Sequence, residues 1–184
     1  MPWTSAYNAL FTEALIDQLL AIIYRDMQAA LDFISGSPGS LPSFAEYELA
    51  EMAIHQFPVL LLTPDSEVFD INMSSVVAQT PIRITGGVAV AHQKPNMVAR
   101  LLQRYLRAVY LVIRTSVERT QAADFYAPLA LPPGVDKDVS AGLVEGSLKL
   151  IWIESLAYGE LKRRPDSTFM RTAYFSLLAE MNEK

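Results

Sequence analysis

The chain has 184 residues, a net charge of −5, 51% apolar residues and only 19% charged ones, against about 25% charged in an average globular domain. It has no cysteine, which excludes disulfide staples, thiolate zinc sites, iron–sulfur clusters and thiol nucleophiles, and fits a reducing compartment. A single soluble domain over 1–184 is long enough to hold itself together without metal or disulfide, and the apolar excess points to surface covered in an assembly.

Ser5 to Ile34 reads as one long helix. Thr4 or Ser5 can cap it, no Gly or Pro interrupts it, and Leu15, Leu19, Ile22, Ile23, Met27, Ala30 and Ile34 recur at helical spacing. The run Ser35-Gly36-Ser37-Pro38-Gly39-Ser40 then acts as a flexible breaker, and a short helix is expected from Phe44 to Gln56, making 35–56 an insert. Pro58 to Thr63 reads as a buried strand, Pro64 to Thr80 as a loop, and Pro81 to His92 as a second strand. Gly86-Gly87 suggests a bulge or a tight hairpin turn inside that strand.

Pro95 to Val117 carries the cleanest helical pattern. Val98, Leu101, Leu102, Tyr105, Val109 and Val112 fall on one side, and Arg100, Arg104, Arg107 and Arg114 on the other, with Leu111 interrupting the basic row. Residues 118–146 form a long segment rich in Pro and Gly that still holds Phe125, Tyr126, Leu129 and Leu131. Apolar residues in such a loop suggest an interface. Two strands close the chain. In Ser147 to Tyr158, alternation puts Leu148, Leu150, Trp152 and Leu156 on one face and Lys149, Ile151, Ile153 and Ser155 on the other. In Thr168 to Met181, Phe169, Ala173, Phe175, Leu177 and Ala179 oppose Thr172, Tyr174, Ser176 and Glu180. The fold class is therefore α+β: an antiparallel or mixed four-stranded sheet with two long helices, in the order α-(α)-β-β-α-β-β, with apolar residues suggesting cover on both sheet faces.

Charge is uneven along the chain. Residues 1–80 hold ten acids and a single base, Arg25, while residues 81–184 hold fourteen bases and ten acids. The two halves either neutralise each other within one subunit or present opposite faces to neighbouring copies.

Catalytic signatures are missing. The sequence holds only His55 and His92; Glu48, Glu51 and His55 would share a helix face, which is more often solvated than metal-binding, and His92 suits a capping role. No nucleophile elbow, phosphate-binding loop or zinc-protease motif occurs, so no enzyme activity, cofactor or metal is expected. The most apolar run, Ala14 to Tyr24, is short and broken by Asp17 and Gln18, so no membrane association is expected. The arginine row could meet phosphates, but the acidic net charge and the lack of an aromatic platform beside it speak against sequence-specific nucleic-acid binding. An acidic protein surface fits better.

The stretch GGVAVAHQKPNMVARLLQRYLRAVYLVIR, followed by a loop and two long closing strands, resembles the tail terminator (tail completion) proteins of long-tailed bacteriophages. The likeness runs by element order over residues 5–181 and centres on the Arg-Tyr-x-x-Ala core at Arg104-Tyr105-Leu106-Arg107-Ala108. The 35–56 insert and the long 118–146 loop depart from the simplest pattern. The resemblance implies a structural virion protein, assembled in the host cytoplasm, that forms a hexameric ring capping the tail tube. Its partners would be copies of itself, the tail tube protein and the head or neck connector. Arg100, Arg104, Arg107, Leu111, Arg114, Phe125, Tyr126, Leu129 and Leu131 are the candidate interface residues. Head–tail connector or neck proteins of similar size are the alternative. A contrasting reading is a small-molecule-binding or catalytic α/β domain with Tyr105, Tyr110, Trp152 and Tyr158 around a pocket.

Overall fold

A computed structural model of the chain describes residues 11–48, 56–67, 79–120, 129–135 and 146–183. The first helix, α1, spans Phe11–Ser35. Its helical-period apolar residues do what their spacing predicts: Leu15, Leu19, Ile22, Ile23 and Met27 are buried, while Ala30 and Ile34 pack at the core margin. The proposed start at Ser5 lies outside the described residues. The helix stops where Gly36 takes a positive φ of 68° and its N–H donates to the Asp32 carbonyl. The Asp32 carboxylate then accepts from the Gly39 N–H (2.8 Å) and the Gln28 side-chain amide (2.9 Å), pinning the Gly/Pro/Ser turn to the last helical turn.

The short helix expected over Phe44–Gln56 is not what begins there. Glu46–Glu48 forms a strand, β1, parallel to β2 (Val59–Glu67). Pairing with β2 sets the backbone here: the Ala45 N–H donates to the Pro58 carbonyl (2.7 Å), and across the bend at Ala45 the Phe44 and Tyr47 rings meet edge to face (5.8 Å between centroids) at the core. Residues 49–55 lie outside the described residues. The loop expected over Pro64–Thr80 is shorter as well, since β2 continues through Glu67 and β3 (Gln79–His92) begins before Pro81.

β3 is the central strand, antiparallel to β2 on one side and to β6 (Phe169–Glu183) on the other. Gly86-Gly87 makes neither a bulge nor a turn, because both residues stay in register with β2 and β6. Glycine is needed at 86 for space. A Cβ there would stand 2.1 Å from Cζ of Phe175, which is itself buried.

Helix α2 (Pro95–Thr120) follows β3 and lies against α1. The chain then returns in β4 (Gly146–Tyr158), a two-residue β5 (Lys162–Arg163) and β6. The sheet runs β1-β2-β3-β6-β4, with β5 also on β6, so it is a mixed sheet of six strands where four were expected. The two extra strands are the very short β1 and β5, which carry too few residues to show an alternation of their own.

Both helices cover one sheet face. The core there gathers Leu60, Leu62, Ile82, Ile84, Val88 and Val90 with Ala173, Phe175, Leu177 and Ala179, as the alternation in β6 predicted. The other face has a smaller buried group, Val59, Leu61 and Ala89, with Phe57 packed beside it. In β4 the expected faces are corrected. Two register shifts, between Leu148 and Leu150 and between Ile153 and Ser155, each switch the alternation. Ile151 is therefore buried and Trp152 is 40% exposed, the reverse of simple period two.

Tyr105 links helix to turn. Its ring is buried, and its hydroxyl donates to the Pro42 carbonyl at 2.6 Å. Burial pushes its pKa up to about 12, so it stays a donor at any ordinary pH. Replacing Tyr105 with Phe should cost about 1 kcal/mol, a drop of roughly 2–4 °C in thermal melting, with the oligomeric state unchanged.

Candidate assembly interface

Helix α2 carries an outward basic row because its inward face is fully used. Val98, Leu102, Tyr105, Val109 and Val112 enter the core, which turns Arg100, Arg104, Arg107 and Arg114 to solvent. Arg100 and Arg104 make no ion pair among the described residues, although α1 next to them bears several acids. Arg107 lies over the Tyr110 ring, 5.0 Å from its centroid.

Leu111 does not stand free in this row. It dips into a groove of about 440 Å³ between the two helices, lined also by Asp26, Ala29, Ala30, Phe33, Val112 and Thr115. The small alanines open that space. Phe33 at its rim is 79% exposed, a costly position for an isolated phenylalanine. Sequence periodicity did not single out Phe33. The usable signal was an aromatic ring on the polar side of an otherwise regular amphipathic helix.

The other expected interface residues divide. Leu131 is buried in the subunit's own core together with Val135, and Leu129 packs at the core margin. That placement gives these loop residues an intramolecular role. Phe125 and Tyr126 lie outside the described residues.

The four aromatic residues considered for a ligand pocket are not brought together. Tyr105 is inside the core, and Trp152 is on the opposite sheet face. Only Tyr110 and Tyr158 share an open concavity of about 240 Å³, with Arg107, Leu106, Leu156 and Phe175. His92 accepts a hydrogen bond at Nδ1 from the Lys94 N–H (2.9 Å), the capping role its position suggested. Among the described residues no group of His, Asp or Glu is placed to hold a metal, and no helix is long and apolar enough to cross a membrane. Glu51 and His55 lie outside the described residues.

One buried charge was missed by the sequence reading. Asp17 is 4% exposed on α1, and burial first, then the nearby Glu13 carboxylate, raises its pKa to about 6. A single acid inside the apolar run from Ala14 to Tyr24 was the signal.

No protein-family model matches the sequence, and no curated protein does. Among solved structures the chain is similar to one from a "Virion of native gene transfer agent (GTA) particle", with 13% identity, 97% of this chain and 99% of that chain covered, and a TM-score of 0.42. The functional reading therefore rests on the chain's own residues.

Proposed function

We propose that this chain is a structural virion protein of the tail terminator type, forming a hexameric ring that caps the tail tube and joins it to the head or neck. One observation carries the reading. Apart from the short strands β1 and β5, the fold keeps the element order on which the resemblance was drawn, namely long helix, strand pair, helix, closing strand pair. Within the Arg104-Tyr105-Leu106-Arg107-Ala108 segment, Tyr105, Leu106 and Ala108 face the core while both arginines face outward. The exposed basic row beside an apolar helix groove supports a protein–protein contact with an acidic surface.

The test is to reverse Arg104 and Arg107 to Glu together. Both side chains are exposed, so the subunit should melt within a degree or two of the parent, while assembly with neighbouring copies or the tail tube should weaken strongly. Unchanged assembly in light scattering would remove this helix face from the interface.

A further inference from the structure

The two edges of the sheet carry opposite charge. On one side β1 and β2 hold Glu46, Glu48, Asp65 and Glu67 and no base. On the other side the β4–β5 edge holds Lys149, Lys162 and Arg163; its acid Glu154 is already paired with Arg83 of β3 at 3.5 Å, leaving Glu160. Lys162, Arg163 and Asp65 are exposed. The basic edge also leaves apolar surface uncovered: Leu156, Tyr158 and Leu161 are each 46% exposed. Among the described residues β4 has no strand on its outer side over its 13 residues. Among the described residues β1 pairs with the first three residues of β2, and Leu62–Glu67 has no strand on that side. Edges of this kind are normally blunted or covered.

We propose that the β4–β5 edge of one copy docks on the β1–β2 edge of the next, so that the ring closes through head-to-tail contact of oppositely charged sheet edges. This inference rests on the ring reading and supplies its missing geometry. A closed ring needs two different complementary patches on each subunit, and two edges on opposite sides of one sheet provide them. The occupant is a second copy because the complementary charge sits on the same chain, at the far end of the same sheet. The two register shifts in β4 twist its backbone, so the contact is made by side chains, with Leu156, Tyr158 and Leu161 at its centre, and does not extend one continuous ladder. Arg107 of the α2 basic row borders this edge, sharing a concavity with Leu156 and Tyr158, while Arg100 and Arg104 stay available for a different, acidic partner.

Charge reversal tests this directly. The first variant is Lys162→Glu/Arg163→Glu, and the second is Glu46→Lys/Glu48→Lys/Asp65→Lys, which leaves Glu67 as that edge's one acid. Each makes the two edges of its own copy alike, so each alone should run as a monomer in low-salt light scattering where the parent runs as a closed oligomer. An equimolar mixture restores both contacts, because each edge of one variant now meets its opposite on the other. It should regain the oligomer, with equal numbers of both variants and an even subunit count, and this recovery also establishes that both variants fold. Raised salt should loosen the parent oligomer. Oligomers formed by either variant alone, or a mixture that stays monomeric, would overturn the edge contact while leaving a parental ring standing. A parent that never oligomerises, alone or with tail tube, overturns the ring reading and the edge contact together.

Discussion

Replacing Asp17 with Asn should make the protein more stable at neutral pH and remove part of its pH dependence. Asp17 is buried, and loss of hydration, with repulsion from Glu13 second, lifts its pKa from 3.8 to about 6. The folded state therefore holds the proton more tightly than the unfolded chain does between those two values. The sign follows from linkage. This group favours the fold most below pH 3.8, and that advantage is lost as pH rises through 6. Above pH 6 the carboxylate is charged inside the fold at a cost of up to about 3 kcal/mol, since one pKa unit corresponds to about 1.4 kcal/mol. Asn keeps the shape without the charge. Denaturant titrations at pH 7.5 should show the variant more stable than the parent, and the difference should vanish near pH 4. Parallel pH profiles for the two proteins would contradict the assignment.

The second large effect is expected at Gly86. It stands in extended backbone in the central strand, so its requirement is space and not an unusual φ. Adding a methyl group would place carbon 2.1–2.7 Å from three ring atoms of Phe175. That ring is 2% exposed and belongs to the core, so displacing it disturbs the residues packed around it. Gly86→Ala should cost at least about 2 kcal/mol, at the upper end of overpacking substitutions. Phe175→Ala should cost about 3–5 kcal/mol by leaving a cavity. The two are not additive. With the ring gone the new methyl group finds room, so the double variant should recover about 0.5–3 kcal/mol relative to the sum of the single changes. Additive losses would mean that Gly86 serves the backbone and not the ring.

How much was legible in the sequence follows from the same physics. Both long helices were readable, α1 because its long apolar run has no Gly or Pro, although Leu15–Ile23 is buried all round, and α2 because it buries one stripe and turns its arginines outward. β6 was readable because it keeps strict alternation without a register shift. β4 was placed correctly but its faces were not, since two one-residue slips leave no mark in composition. The strand at Glu46–Glu48 reads locally like a helix start; pairing with β2, distant from any local signal, decides it. Glycines 86 and 87 look like turn residues until the partner ring on β6 is known. Of the candidate site, the arginine row was visible by its spacing. Phe33 and the groove were not, because a groove depends on how α1 and α2 lie together.

The most direct test of the ring is the mass of the purified protein in solution, alone and after addition of tail tube. The account predicts a single closed oligomer of 20.4 kDa subunits, six in number, either for the protein by itself or once the tube end is present. A protein that remains at the mass of one subunit at high concentration and with tube present would contradict it.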